Sequence, residues 1–172
     1  MPTSNHDFDA EALYRDLLGQ VRAGLAQAND PAIVGIHSGG AWLAERLAHD
    51  LGLTHRLGFI DVSFYRDDYA KKGLHPDVKP TQIGFNVDGA TILLVDDVLY
   101  TGRTVRAAIN VLFDYGRPAR IKLAALADRG GRELPVSADF VGAHAQLEQH
   151  QSLSLQRGAA GQLSLTIEED NA

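Results

Sequence analysis

The stretch Thr91-Ile-Leu-Leu-Val-Asp-Asp-Val-Leu-Tyr-Thr-Gly-Arg-Thr104 decides how this chain folds. Its apolar run, residues 92–95, is continuous rather than alternating, which is typical of a strand buried on both faces of a parallel sheet. Asp96 and Asp97 follow the run directly, so we expect them where the carboxyl end of the strand opens to solvent. In open α/β sheets, ligands bind at that edge.

The residues after the two carboxylates predict a turn that can hold a phosphorylated sugar. Gly102 permits a tight backbone, so the N–H groups of residues 101–104 can converge on a phosphate at the positive end of the following helix. Asp96 and Asp97 cannot attract a phosphate, but as acceptors they suit the vicinal hydroxyls of a ribose. Each feature alone also has a structural reading, as a helix N-cap or a plain turn.

The chain before this stretch predicts another strand–turn–helix unit. Leucines at helical spacing indicate an amphipathic helix over roughly residues 8–28. Residues 32–36 follow as a buried strand, His37-Ser-Gly-Gly40 as a turn, and residues 41–50 as a second helix. Such strand–turn–helix units are typical of α/β folds.

The segment between the two units predicts a strand, a loop and a hairpin. Residues 57–64 read as a strand, and the polar residues 65–80 as a long mobile loop. Residues 82–87 and 90–95 flank Asp88-Gly89, a two-residue hairpin signal. The sequence therefore predicts a mixed sheet, with an antiparallel arm that leads into the central strand.

Three more elements are expected after the central strand. Residues 104–115 predict a helix that ends at Gly116, and residues 121–127 predict a strand. Alternating leucines in residues 153–167 indicate a terminal hairpin on the sheet edge.

Length and composition indicate a cytoplasmic protein with one domain, residues 1–172. A hydrophobic content of 45% and a charged content of 22% are typical of globular proteins. No apolar stretch approaches the roughly 20 residues of a membrane span, and no signal sequence is recognisable at the start. The absence of cysteine excludes disulfides, thiolate metal sites and cysteine catalysis.

The net charge of −6 is unevenly distributed along the chain. Residues 66–132 carry eleven Lys or Arg against eight Asp, a net of +3, so the rest carries −9. The basic excess therefore surrounds the expected phosphate site. An acidic total argues against indiscriminate nucleic-acid binding but permits a local basic face.

Several segments together resemble the PyrR family of type I phosphoribosyltransferases, and the matches span residues 33–142, most of the domain. The matching segments are Phe64-Tyr65-Arg66-Asp67-Asp68, residues 95–104, Tyr115-Gly116-Arg117-Pro118, residues 128–135 and Ala138-Asp139-Phe140-Val141-Gly142. The resemblance implies a type I phosphoribosyltransferase fold, an α/β fold with a mostly parallel central sheet flanked by helices, an antiparallel arm and a small hood.

The resemblance also implies two activities. The first is uracil phosphoribosyl transfer, in which uracil and phosphoribosyl diphosphate (PRPP) give UMP and diphosphate. The second is regulation of pyrimidine-biosynthesis genes through binding of uridine nucleotides (UMP or UTP) and of pyrimidine-operon mRNA. Mg²⁺ bound with PRPP is the implied cofactor, and a homodimer or homotetramer is the implied assembly.

The resemblance assigns a role to each part of the PRPP site. The ribose and 5-phosphate are expected to contact Asp96, Asp97, Tyr100, Thr101, Gly102, Arg103 and Thr104. Asp96 and Asp97 would also lie near the positive charge that develops on the sugar, and they are the expected catalytic residues. Ser38, Gly39 and Gly40 correspond to the diphosphate-binding turn, where the family more often has Arg in place of Gly39.

Three further sets complete the expected sites. The mobile loop is expected to form a lid with Tyr65, Arg66, Asp67, Lys71 and Lys72. By family analogy, the base is expected to contact Asp128, Arg129, Arg132, Phe140 and Val141. Arg15 and Arg22 lie seven residues apart on the first helix and so share a face, which could contribute to an RNA-binding surface across a dimer.

Two alternatives remain open at this point. One is a regulator that keeps the pocket only as a nucleotide sensor. The other is a purine phosphoribosyltransferase, although the related hypoxanthine and guanine enzymes have an Asp where this chain has Tyr100, and a tyrosine cannot act as that carboxylate. No metal site built from side chains is expected, because the seven His lack ligand spacing. Mg²⁺ would be held mostly by PRPP oxygens and waters.

Overall fold

The computed structural model describes residues 8–63 and 80–170. The elements in these ranges are the helices α1 (Ala10–Leu25), α2 (Gly39–Leu51) and α3 (Arg103–Tyr115), and the strands β1 (Pro31–Ile36), β2 (Leu57–Ile60), β3 (Thr91–Leu99), β4 (Arg120–Asp128), β5 (Phe140–His144), β6 (Gln151–Arg157) and β7 (Leu163–Glu169). A short 3₁₀ helix, Thr54–Arg56, precedes β2. None of the described helices is long and apolar enough to cross a membrane.

The main sheet has five strands in the order β2-β1-β3-β4-β5, and all four pairings are parallel. From β1 the chain adds β2 on one side, and from β3 it adds β4 and β5 on the other. The order therefore reverses between β1 and β3. Such a switch point opens a crevice at the carboxyl ends of the strands, where ligands bind in open α/β sheets.

The central strand β3 is apolar on both faces because helices cover both. Leu93 and Val95 pack in one core cluster with α1 and α2, and Ile92 and Leu94 pack in a second cluster with α3. All four side chains are fully buried. This arrangement confirms the predicted parallel sheet flanked by helices and explains the continuous apolar run of residues 92–95.

The predicted hairpin around Asp88-Gly89 is wrong, although the turn exists. Gly89 has φ of +73°, and the N–H of Ala90 donates to the carbonyl of Val87 over 3.1 Å. Residues 82–87 nevertheless form no strand, and Gln82 makes a single antiparallel bridge to Phe59 of β2. The reason is that β1 and β4 already occupy both edges of β3.

The terminal hairpin is confirmed, but it does not extend the main sheet. Strands β6 and β7 form a separate antiparallel sheet that packs on α1 and α2 through Leu155, Leu163 and Leu165. The edge position next to β4 belongs instead to β5, a strand that the sequence did not predict. Strand β2 is also shorter than expected, ending at Ile60.

Candidate active site

Strand β3 projects beyond β1 at the switch point, and the two carboxylates lie on the projecting part. Pairing with β1 ends at Gly35 and Val95, whereas pairing with β4 continues to Leu99. The sequence suggested that Asp96 and Asp97 follow the strand, but in the structure they lie inside it. Strand hydrogen bonds fix their positions more rigidly than a loop would.

Backbone N–H groups orient both carboxylates. Asp96 is only 4% exposed, and its Oδ1 accepts from the N–H of Asp97 over 2.9 Å. Oδ1 of Asp97, a half-buried residue, accepts from the N–H of Val98 over 2.8 Å. Within the described residues, Oδ2 of Asp97 accepts no hydrogen bond, and this oxygen lies against Gly39.

The turn between β1 and α2 lies directly against these carboxylates. A Cβ on Gly39 would lie 2.8 Å from Cγ of Asp97, and a Cβ on Gly40 would lie 3.0 Å from Cα of Asp96. Only glycines permit so close an approach. No side chain fits at Gly39 unless Asp97 moves.

Two further features define this turn. Ser38 occupies the N-cap of α2 but makes no side-chain cap hydrogen bond, and the His37–Ser38 peptide is cis. The N–H of His37 donates to the carbonyl of Ile60 over 2.9 Å, which ties the turn to the end of β2.

The turn between β3 and α3 has the geometry expected of a phosphate loop. Gly102 adopts φ of +96°, a conformation that favours glycine, and it forms the N-cap of α3 without a side-chain hydrogen bond. Thr101 is 5% exposed, and its Oγ1 accepts from the N–H of Arg103 over 3.2 Å. Thr104 lies in the first turn of α3. The positive end of this helix therefore lies at the carboxyl end of β3, with its first N–H group bonded to Thr101 and no side-chain cap from the N-cap residue.

Residues after β4 fold over the phosphate loop. The carbonyl of Thr101 accepts from the N–H groups of Glu133 and Leu134, over 2.9 and 3.1 Å. Glu133 also forms a salt bridge of 2.8 Å with Arg103. The sequence analysis assigned no role to Glu133. The one feature that could have indicated a role is its position in the loop after β4, a strand that neighbours the site.

Arg132 joins this second loop to the first. Its Nη1 donates to the carbonyl of Tyr100 over 2.7 Å, its Nε to the carbonyl of Val136 over 2.8 Å, and its Nη2 to Oδ2 of Asp128 over 2.5 Å. Burial raises the pKa of Asp128, but the hydrogen bonds from Arg132 and from the N–H of Gly130 outweigh that effect and hold the pKa below its usual range. Asp128 is thus a charged anchor for Arg132.

Tyr100 is enclosed by the same loop. The Arg129 guanidinium lies 3.9 Å from the centroid of the Tyr100 ring, and the N–H of Arg129 donates to the carbonyl of Leu99 over 3.0 Å. A Cβ on Gly131 would lie 2.5 Å from Cε1 of Tyr100. Tyr100, Asp128, Arg129 and Arg132 therefore form one connected group beside the phosphate loop.

Phe140 and Val141 are not brought to this group. Phe140 is paired in register with Ala124, four positions before Asp128, and its ring packs against Gly24 of α1. The N–H and carbonyl of Val141 are both hydrogen-bonded to the side chain of Gln20 on α1. Both residues therefore lie at the amino end of β5, away from the crevice.

The remaining predicted residues are likewise outside the cluster. Arg15 and Arg22 lie on the exposed side of α1, where Nη2 of Arg22 donates to the carbonyl of Asp50 over 3.4 Å. The lid residues Tyr65, Arg66, Asp67, Lys71 and Lys72 lie outside the described residues.

The chain contains a phosphoribosyltransferase domain, because the sequence profile of the family "Phosphoribosyl transferase domain" matches residues 7–156. The parallel sheet and the paired carboxylates at its switch point agree with that class. "Bifunctional protein PyrR" of Ralstonia nicotianae is 51% identical, with 98% of this chain and 99% of that protein covered. The chain belongs to the PyrR family.

Solved structures show the same fold. A purine phosphoribosyltransferase from Pyrococcus horikoshii superposes with a TM-score of 0.61 at 28% identity, covering 80% of this chain and 83% of that one. The hypoxanthine phosphoribosyltransferase of Trypanosoma cruzi superposes with a TM-score of 0.65 at 19% identity, covering 95% of both chains.

Proposed function

We propose that this chain is a uracil phosphoribosyltransferase, which converts uracil and PRPP to UMP and diphosphate. The observation that carries the proposal is the placement of Asp96 and Asp97 between the N-termini of α2 and α3, whose N-cap residues Ser38 and Gly102 make no side-chain cap. One end suits the 5-phosphate and the other the diphosphate, while the carboxylates accept from the ribose hydroxyls. Membership of the PyrR family supports uracil as the base.

The reaction needs positioning and charge control more than covalent chemistry by the protein. As the bond from the anomeric carbon to diphosphate breaks, positive charge develops on the sugar, and the bond to uracil then quenches it. Asp96 and Asp97 lie where they hold the ribose beside that charge. Because strand hydrogen bonds fix β3 through Leu99, the carboxylates need little reorganisation as the charge appears.

The residues fit a magnesium ion that arrives with PRPP. Within the described part of the chain, no group of three or more ligating side chains could hold a metal by itself. Oδ2 of Asp97, which accepts no hydrogen bond from the described residues, suits a ribose hydroxyl or a water of the ion, and Mg²⁺ prefers such oxygen partners. When bound, the ion supplies charge stabilisation to the leaving diphosphate.

The surroundings of Tyr100 argue against a purine base. The ring lies between the Arg129 guanidinium and Gly131, and it offers no carboxylate to a purine ring nitrogen.

A steady-state assay with radiolabelled uracil, hypoxanthine, guanine and adenine tests the proposal. We expect UMP formation that depends on PRPP and Mg²⁺. Turnover of a purine instead of uracil would change the assigned base. Binding of UMP without turnover of any base would favour the nucleotide-sensor alternative.

We also propose that the chain regulates pyrimidine genes by binding their mRNA, as a homodimer or homotetramer. The observation that favours this second function is the 51% identity to a protein named bifunctional. Arg15 and Arg22 share the exposed side of α1. Two acidic side chains nearby already interact with other protein side chains. Glu11 pairs with Arg46 over 2.5 Å, and Asp50 accepts from the Tyr14 hydroxyl over 2.5 Å.

Filter binding tests the RNA proposal. The probe is the leader RNA of the chain's own pyrimidine genes against a scrambled RNA, with and without UMP, across a salt series. Because few phosphates can be neutralised on an acidic protein, we expect sequence-specific binding that UMP strengthens and salt weakens only moderately. Equal affinity for both RNAs, or no binding of either RNA, would contradict the proposed mRNA binding. Arg15→Gln with Arg22→Gln should weaken binding without changing uracil turnover.

A further inference from the structure

The loop after β4 holds the backbone that leads from β3 into α3. Three successive carbonyls, those of residues 99–101, each accept a hydrogen bond from residues 129–134. At Thr101 the donors are the N–H groups of Glu133 and Leu134, over 2.9 and 3.1 Å. The loop after β4 therefore fixes the direction of three peptide planes at the entrance to the phosphate loop.

The hydrogen bonds to Thr101 determine which way the peptide between Thr101 and Gly102 points. This peptide is trans, so its C=O and N–H point in opposite directions, and the N–H of Gly102 is turned away from the loop after β4. Gly102 has φ of +96° and, as a glycine, could accommodate a rotated peptide at little steric cost. A rotated peptide would present the oxygen of Thr101 where a phosphate needs an N–H donor. Anion binding at this turn therefore depends on the restraint on Thr101.

The side chain of Glu133 restrains the other neighbour of Gly102. Its Oε2 accepts from Nε of Arg103 over 2.8 Å and lies 2.8 Å from Nη2 of the same guanidinium. Glu133 thus contacts Thr101 through its backbone and Arg103 through its carboxylate. The side chains of Arg103 and Glu133 are 57% and 52% exposed, and an ion pair so exposed contributes little to the stability of a fold. Its main effect is therefore on the position of the phosphate loop.

We propose that Glu133 is a positioning residue that holds the phosphate loop in the conformation that receives the 5-phosphate of PRPP and UMP. The proposal rests on the proposed uracil phosphoribosyltransferase function and adds to it a residue that acts through the loop rather than on the substrate. A carboxylate beside an anion site repels the phosphate, and here it also occupies Arg103. Both of these effects weaken phosphate binding, whereas positioning strengthens it. The sign of the change when Glu133 is removed therefore decides between them.

Glu133→Ala tests that sign. We expect its affinity for UMP and for ribose 5-phosphate, measured by calorimetry, to fall up to roughly tenfold, as for the loss of one hydrogen bond. Its affinity for uridine, which has the same base and ribose but no phosphate, should not change. Glu133→Gln keeps an acceptor for Arg103 without the charge and should recover most of the loss. Unchanged or tighter binding of UMP by Glu133→Ala, or an equal loss for uridine and UMP, would overturn the proposal.

Backbone hydrogen exchange provides a second readout that needs no ligand. In Glu133→Ala, residues 131–136 should exchange faster, because their N–H groups include the donors to Thr101, whereas α1 should exchange as in the wild-type protein. The control is Glu168→Ala, which removes an exposed carboxylate of β7 and should alter neither the exchange nor the affinity for UMP. Unchanged exchange of residues 131–136 in Glu133→Ala would overturn the positioning role. Failure of the wild-type protein to bind PRPP and UMP would instead reject the proposed function, and the exchange measurement would still test Glu133.

Discussion

Helix α1 and the two helices of the crevice begin in different ways. Oδ1 of Asp9 caps α1 by accepting from the N–H of Ala12 over 3.1 Å, whereas Ser38 and Gly102 make no side-chain cap for α2 and α3. A helix leaves its first N–H groups without partners inside the helix. The side chain of Asp9 satisfies one such group in α1. At the switch point the N-cap residues satisfy none, although Oγ1 of Thr101 accepts from the first N–H of α3, and the proposed function assigns the other N–H groups to a ligand.

The charges in the first turns follow the same division. Glu11 lies in the first turn of α1, where its Oε2 accepts from Arg46, and that hydrogen bond lowers the pKa of Glu11. The first turns of α2 and α3 contain no acidic residue. An acidic side chain stabilises a helix N-terminus but competes with a phosphate for it. If the proposed function holds, the crevice gives up helix stability in favour of anion binding.

The largest expected effect comes from the carboxylates between the N-termini of α2 and α3. Replacing both Asp96 and Asp97 by Asn keeps acceptors but removes the charge near the developing cation. We expect turnover to fall on the order of 10²-fold or more, with a smaller change in PRPP affinity. Steady-state kinetics together with PRPP binding measures both, and Asp114→Asn on the exposed side of α3 is the control. Unchanged turnover would remove the assigned catalytic role.

The close approach of the α2 turn to β3 gives the next effect. Gly40→Val places a side chain where its Cβ lies 3.0 Å from Cα of Asp96, so we expect a loss of about 3 kcal/mol in the free energy of unfolding and loss of turnover. The control is Gly19→Ala on α1, where a Cβ meets nothing within 4 Å. It should stabilise the helix by about 0.5–1 kcal/mol. Equal urea-unfolding curves for both variants would contradict the packing argument.

Parts of the site that are contiguous in sequence could be predicted, and parts that depend on strand register could not. Residues 96–104 and 38–40 are each one short string at the end of a strand, so local signals sufficed. The contact of Arg132 with Tyr100 spans 32 positions and exists because β3 and β4 pair as far as Leu99 and Asp128. No local pattern encodes that register.

The same limit explains the errors in the fold. The Asp88-Gly89 turn is a local property and was predicted, whereas the partner of residues 82–87 depends on which strands occupy the edges of β3. The end of β3 was placed too early because Asp96 interrupts the apolar run, although strand pairing does not require apolar side chains. Strand β5 is short and carries no alternating pattern, and Phe140 is the one buried residue among its five.

A pH-dependent prediction concerns the loop that covers the phosphate turn. The pKa of Asp128 is below its usual range in the folded protein, so its stabilising effect is complete above the unfolded pKa of about 3.9 and is lost as pH falls through the folded pKa. Arg132→Gln should cost about 2 kcal/mol at pH 7 and progressively less below pH 4. Urea unfolding at several pH values measures this. A difference that does not change with pH would exclude the ion pair as its source.

The smallest effect tests the comparison of helix starts directly. Asp9→Ala removes a cap hydrogen bond and should lower the free energy of unfolding by about 1 kcal/mol, without changing turnover or PRPP affinity. Ser38→Ala removes an N-cap side chain that makes no such bond, so it should change stability by much less. Its effect should appear instead as a higher KM for PRPP, because the hydroxyl lies where the diphosphate is expected. Thermal unfolding and PRPP titration of both variants decide between the outcomes. If Ser38→Ala destabilised the fold as much as Asp9→Ala, the α2 turn would be capped like a structural helix, and its N-terminus would no longer be distinguished as a ligand site.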